Sequence, residues 1–199
     1  MRVSDYIADF IYKLGVEDVF MLTGAGIMHL TDGVVCHEKL RAVCVHHEQS
    51  AAMAVDGYAR ANENIGVAYF TTGPGVTNAL TGVVGAWQDS VPCLFISGQV
   101  KRKETSFNSG PRQLRQFGVQ ELNVLPIVES VCKYSTMLND PQDIRYELEK
   151  AFYIAKSGRP GPVWIDIPMD VQSAKIDPKL LKGFKSTDKK LEISKNSIK

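Results

Sequence analysis

The sequence predicts a three-layer α/β/α domain built on a mostly parallel sheet of about six strands. Three observations carry that prediction. Short runs rich in β-branched or aromatic residues recur along the chain, bounded by polar residues, Gly or Pro. Stretches with apolar residues at helical spacing lie between most of them. Several turns linking a strand to the next helix hold Gly, Pro or a carboxylate. Strands alternating with helices imply parallel strands covered on both faces, joined by right-handed crossovers.

The elements follow in order. Val3 to Leu14 has the spacing of an amphipathic helix, with Ser4 as its expected N-cap. Asp18 to Leu22 is the first strand, and the turn Thr23-Gly24-Ala25-Gly26 leads into a second helix. Arg41 to Val45 is the second strand; a helix rich in alanine starts at Glu48, with Met53, Val55 and Tyr58 within it. Gly66 to Thr71 is the third strand, and Thr72-Gly73-Pro74-Gly75-Val76-Thr77-Asn78 opens a helix carrying Ala79, Leu80, Val83, Val84 and Trp87 at helical spacing. Pro92 to Ser97 is the fourth strand. Lys101 to Arg115 is polar, interrupted by Gly110 and Pro111, and expected to be loop. Val131 to Leu138 is the fifth strand. Asp140 to Lys156 is a helix with Ile144, Leu148, Ala151, Phe152 and Ala155 on one face, and Val163 to Ile167 is the sixth strand. Trp87, Phe152 and Trp164 are expected in the core. Past Ala174 the pattern dissolves, and Asp177 to Lys199 is rich in Lys and Ser, the composition of a mobile or linker-like tail.

Composition excludes several classes. The 199 residues suffice for one good core, and the fractions of 44% hydrophobic and 23% charged residues are those of a soluble globular domain. A net charge of +1 supplies neither the basic footprint of a nucleic-acid binder nor a polybasic membrane signal. No apolar run approaches the ~20 residues that span a bilayer. Asp5, Asp9, Glu17 and Asp18 near the N-terminus are unlike a signal peptide. Cys36, Cys44, Cys93 and Cys132 show neither CxxC pairing nor metal-ligand spacing, so no metal site is expected from them. They are expected to be reduced and mostly buried, as in a cytoplasmic protein.

The candidate site lies at two successive strand-to-helix turns. Glu48 falls at the carboxyl end of a strand and in the first turn of a helix, where open α/β sheets bind ligands. An acidic residue there also has a plain electrostatic explanation, since it favours a helix N-terminus. Gly73 and Gly75 permit close backbone approach to a ligand. Taken alone, Gly73 to Asn78 reads as a tight strand-helix turn with a capping Asn in preference to a ligand site.

The motifs HHEQ at 46–49 with DGYAR at 56–60, TTGPGVTNALTG at 71–82, DSVP with ISGQV at 89–100, VQE at 119–121 and SGRPGPVWIDIP at 157–168 occur in a fixed order. In that order they resemble the thiamine diphosphate enzymes, in the branch of acetolactate synthase-like 2-oxo acid carboligases and decarboxylases. The resemblance covers about residues 1 to 175. It implies a domain over 1–175 that binds the cofactor's pyrimidine, with 176–199 as linker or tail. It implies that Glu48 hydrogen-bonds pyrimidine N1′, setting the tautomer through which the cofactor's own amino group removes its C2 proton. Such a glutamate must be buried, so that its proton is shared with the ring and not lost to water. Pro74 and Asn78 match the turn lying against the cofactor, and Gly24 a weaker part of the same surface. Gln120, paired with Glu121, matches a Gln that reaches the active site. His46 and His47 flank the acid; each is either a proton-handling group near bound substrate or a structural histidine. Arg159 matches an arginine close to FAD in acetolactate synthases.

Departures from the pattern matter as well. Thr23 stands where the family usually has Pro, and Met169 where acetolactate synthases carry a Lys lining the substrate and flavin region. Gly-Asp-Gly and the later Asn pair, which hold the diphosphate and Mg²⁺ in this family, do not occur here. No P-loop replaces them. The expectation is therefore a pyrimidine-binding domain that needs a diphosphate-binding domain from another segment or a partner subunit, in a dimer or larger assembly acting on a 2-oxo acid. Alone it should bind the cofactor weakly and not turn over. Three readings fit: part of a full-length enzyme, a natural subunit of a split one, or a non-catalytic interaction protein that kept the fold.

Overall fold

A computed structural model describes residues 1–107 and 114–186. The six strands are β1 (Asp18–Met21), β2 (Arg41–Cys44), β3 (Gly66–Phe70), β4 (Cys93–Gln99), β5 (Tyr134–Met137) and β6 (Val163–Pro168). All pair in parallel, in the order β2-β1-β3-β4-β6-β5. The helices are α1 (Val3–Lys13), α2 (Met28–Val35), α3 (Glu48–Ala61), α4 (Pro74–Gln88), α5 (Leu125–Val128), α6 (Ile144–Lys156) and α7 (Met169–Gln172). This is the three-layer α/β/α architecture the sequence predicts, with every strand parallel. No helix among the described residues is long and apolar enough to cross a membrane.

The two faces of the sheet build two cores, because alternate side chains of a strand point to opposite sides. Val67, Tyr69, Leu94, Ile96, Ile165 and Ile167 pack with Ile7, Ile11, Leu30 and Leu148 beneath α1, α2 and α6. Ala68, Phe70, Phe95 and Trp164 face the other way, against Ala51, Ala52, Val55, Val76 and Val83 of α3 and α4. α3 and α4 approach closely: a Cβ on Gly82 would lie 2.5 Å from that of Ala52.

Several boundaries differ from expectation, each for a local reason. Arg2 caps α1, with its N–H donating to Asp5 at 2.9 Å, while Ser4 is buried within the first turn, two residues past the cap. Residues 129–131 form a short 3-10 turn, so β5 starts at Tyr134. Pro141–Asp143 is likewise 3-10, capped by Asp140, and α6 begins at Ile144. Trp164 is fully buried and Phe152 packs at the core's margin, but Trp87 is 39% exposed, lying in the last turn of α4 off the face that Val83 and Ala86 bury. Cys93 and Cys132 are buried, and burial pushes the Cys132 thiol up to about 12. Cys36 and Cys44 are exposed, one capping α2 and one ending the edge strand β2, so half of the thiols depart from the expected burial.

Residues 174–176 are tied to the N-terminus: Val3 N–H donates to Ala174 O and Ile176 N–H to Met1 O, both at 3.0 Å. Beyond them Leu181 is buried, and Phe184 sits between Tyr146 and Tyr153 of α6. Residues 181–184 thus lie on α6. Of the stretches expected as loop and tail, 108–113 and 187–199 lie outside the described residues.

Candidate functional site

Strand order locates the site. β1 lies between β2 and β3, so the chain leaves β1 towards one side and returns on the other, and the turns after β1 and β3 separate a crevice at the carboxyl end of the sheet. Glu48 enters this region as the first residue of α3, directly after β2. Its side chain is buried. One carboxylate oxygen accepts from the Asn78 side-chain amide at 3.0 Å. The other lies 3.2 Å from the place where a Cβ on Gly75 would stand. Among the described residues Asn78 is the one donor to this carboxylate, which leaves an acceptor facing a glycine turn.

The turns pack without room for side chains. A Cβ on Gly24 would overlap the Thr71 side chain, and one on Gly26 the Thr72 hydroxyl. Gly26 N–H donates to Thr71 Oγ1 at 3.2 Å, and Thr72 Oγ1 donates to the Gly98 carbonyl at 2.9 Å. Gln172 donates to the Gly26 carbonyl at 2.7 Å from α7. Gly73 caps α4 at φ +67, a conformation open to glycine at little cost, and Pro74 follows in the first helical position. A Cβ on Gly73 would overlap the Gln120 carbonyl oxygen, so the Gln120 backbone crosses directly over this turn. Gln120 itself is held at φ +59. Gly73, Pro74, Thr77, Gln116, Gln120 and Leu122 line an open groove of about 370 Å³.

Glu121 secures that crossing from below. Its buried carboxylate accepts from Ser106 Oγ at 2.7 Å, Phe117 N–H at 2.6 Å and Gly118 N–H at 3.1 Å. Burial acts to raise its pKa, but these hydrogen bonds outweigh it and hold the carboxyl below the usual range.

Glu48, Gly73, Pro74, Asn78 and Gln120 are thus brought to one edge, with Gly24 stitched to it through Thr71. Asn78 does not cap a helix; it orients Glu48. Both histidines are exposed, but His47 also caps α3, its Nδ1 accepting from Gln49 N–H at 3.2 Å. Arg159 lies at the opposite end of the sheet, donating to Ser90 Oγ at 2.6 Å and to the Gln88 carbonyl at 2.9 Å. No three His, Cys, Asp or Glu side chains gather into a metal site among the described residues. Sequence reasoning missed Thr71, Thr72, Gly98 and Gln172, whose roles depend on contacts between distant turns. It also missed the polar side chains of Ser97 and Asp166 inside apolar strands, where an interrupted apolar run is a visible signal.

A parallel sheet with a buried carboxylate, its amide partner and glycine turns converging at the switch point defines a ligand-binding α/β domain. Residues 1–127 match the family model for the N-terminal TPP (thiamine pyrophosphate) binding domain of thiamine pyrophosphate enzymes. The acetolactate synthase large subunit of Lactococcus lactis is 34% identical over 198 residues, 95% of this chain and 33% of that protein. That of Cyanidium caldarium is 39% identical over 168 residues, 83% of this chain and 27% of that protein. That of Haemophilus influenzae is 40% identical over 156 residues, 78% of this chain and 26% of that protein. The chain belongs to the thiamine pyrophosphate enzymes, as an acetolactate synthase-like N-terminal domain. It spans a third or less of the length of these relatives.

Proposed function

We propose that this chain supplies the pyrimidine-binding half of the active site of a 2-oxo acid carboligase or decarboxylase resembling acetolactate synthase. The observation that carries the reading is Glu48: a buried carboxylate with one oxygen held by Asn78 and the other facing the Gly75 turn. A ring nitrogen is the kind of partner such an oxygen accepts a shared proton from or donates it to.

The residues present fit the cofactor's pyrimidine. Glu48 would hold a proton at ring atom N1′, and Asn78 would keep the carboxylate turned towards it. Gly73, Pro74 and Gly75 would let the ring approach the backbone, with Gly24 behind them and Gln120 across the groove. Exposed His46 would face bound substrate, whereas His47 is occupied in capping α3. The bound cofactor would supply an electron sink for carbanion chemistry at the substrate's carbonyl carbon. The parent reaction would decarboxylate a 2-oxo acid such as pyruvate and pass the two-carbon unit to an acceptor carbonyl.

The diphosphate and its Mg²⁺ would be held by residues outside these 199, in another segment or a partner subunit. A hard cation needs several oxygen ligands, and no such gathering of carboxylates occurs among the described residues. No flavin role is assigned, since Arg159 is engaged far from Glu48 and Met169 replaces the lysine of acetolactate synthases. Ser50, Met53 and Gly57 on α3, with Asn78, Thr81 and Gly85 on α4, follow helical spacing, and Met53 is half exposed with open space beside both glycines. This supports pairing with a second copy across the α3–α4 face.

The test is calorimetry with thiamine diphosphate and Mg²⁺, on this chain and on the gene's full product. Binding and pyruvate decarboxylation by a longer product, with weak binding by the 199 residues, is the expected result. Tight binding by the 199 residues alone would contradict the division of the cofactor site.

A further inference from the structure

The centre of the sheet holds a chain of polar side chains that the site above does not use. Asp166 is fully buried in β6, opposite Ser97 of β4 in the sheet register. Its carboxylate accepts from Ser97 Oγ at 2.6 Å, from the Gln99 amide nitrogen at 3.1 Å and from the Ile167 backbone N–H. The Trp164 indole N–H donates to Ser97 Oγ at 2.8 Å, which leaves the Ser97 proton for Asp166. Gln99 carries the chain outward. Its amide nitrogen also donates to the Leu122 carbonyl at 2.8 Å, and its amide oxygen accepts from Val100 N–H at 3.1 Å. Turning that amide over would set oxygen against both Asp166 and the Leu122 carbonyl, so its partners determine its orientation.

Burying these groups costs free energy that only complete satisfaction offsets. The same face of β4 and β6 is otherwise apolar, with Phe95 and Trp164 packed beside Ser97 and Asp166, so packing alone does not require polar groups there. What the network adds is a link from the rigid sheet to the segment at 120–122, whose Gln120 carbonyl closes over Gly73.

We infer that Asp166 and Gln99 are positioning residues: they anchor the Leu122 carbonyl to the sheet and so hold the Gln120 segment over the Gly73 turn. Its relevance to catalysis rests on the proposed placement of Gln120 beside the cofactor; the mechanical link does not. Glu121 fixes the same segment from its other side, so two carboxylates set one crossing by separate bonds.

The experiment is amide hydrogen exchange on the full 199-residue chain carrying Asp166→Leu, Gln99→Met or Asp166→Asn. Asp166→Leu and Gln99→Met should speed exchange at 118–124 by about tenfold relative to β3, the scale of one buried hydrogen bond. Asp166→Asn should stay near the wild type, because its oxygen can face Gln99 while its amide faces Ser97. Unchanged exchange at 118–124 with β3 still protected would overturn the inference; if Asp166→Leu fails to fold, Gln99→Met decides alone. Thiamine diphosphate binding by the same variants separates the two claims. Faster exchange with unchanged binding would uphold the anchor and remove Gln120 from the cofactor, whereas unchanged exchange defeats the anchor whatever the binding.

Discussion

The two ends of the sheet each carry a cavity, and they differ in what their polar groups are doing. At the amino ends of the strands a cavity of about 400 Å³ is lined by Arg60, Asn64, Asp89, Ser90, Lys156 and Pro160 among others. Two of its cations already have partners: Arg60 pairs with Asp56 and with Asp89 at 2.7 Å, and Lys156 reaches the Asn64 side chain at 3.2 Å. At the carboxyl ends the groove is no larger, about 370 Å³, yet beside it Glu48 is buried with one oxygen facing a glycine turn. Volume does not separate the two ends. The carboxylate among side-chain-free turns does: one Glu48 oxygen is held by Asn78, and the other faces the Gly75 turn, where a ligand's donor can reach it.

Predictions that break or sharpen this contrast run from large to small. Glu48→Gln in the completed enzyme should slow C2–H exchange of thiamine diphosphate by about a hundredfold or more, the scale of losing one positioned acid–base group. Arg60→Ala, at the other end, should leave that exchange unchanged. Equal losses in the two variants would erase the distinction.

Gly73→Ala must place a side chain at φ +67 against the Gln120 carbonyl, and should cost about 1–3 kcal/mol in urea unfolding. Gly57→Ala, in the interior of α3 with open space around it, should instead stabilise the fold by roughly 1 kcal/mol. The same substitution therefore has opposite signs in two places.

Burial pushes the Asp166 carboxyl up to about 7, against the hydrogen bonds from Ser97, Gln99 and Ile167 that favour its charged form. In the unfolded chain it titrates at about 4. Between these values the folded state keeps a proton that the unfolded state has released. Stability should then fall as pH rises through that window, by up to about 1.4 kcal/mol per unit from this group. Denaturant titrations across the window should show the slope, and Asp166→Asn should flatten it. Smallest of all, His47→Ala removes the cap on α3 and should cost about 0.5–1 kcal/mol, measured by thermal melting.

Much of this was legible in the sequence because the central strands are continuous apolar runs, as strands buried on both faces must be. Asn78 was legible for the same reason, following the buried β3, whereas Glu48 follows the half-exposed edge strand β2 and was legible from the strand-to-helix turn that places it at the carboxyl edge. What stayed hidden depends on pairing between distant segments. Ser97 and Asp166 meet only because β4 and β6 are neighbours in register. The bond from Gln99 to Leu122 spans a connection of low sequence regularity. Gly98 fits against Gly26 only once β4 is laid beside the turn that follows β1. Local composition also misjudged ends: Ser4 has the chemistry of a cap, but the Arg2–Asp5 pair starts α1 earlier. Trp87 has the bulk of a core residue but lies off the α4 face that Val83 and Ala86 bury.

The central claim is that the carboxyl end of this sheet, at Glu48, receives the cofactor. Backbone amide NMR of the 199-residue chain, titrated with thiamine diphosphate and Mg²⁺ to millimolar excess, tests it most directly. The account predicts shifts at Glu48, Gly73, Gly75, Asn78 and Gln120, absent in Glu48→Gln at the same ligand concentration, with Arg60, Asn64 and Ser90 unmoved. Shifts centred on Arg60 and Ser90, or a pattern indifferent to Glu48→Gln, would contradict it.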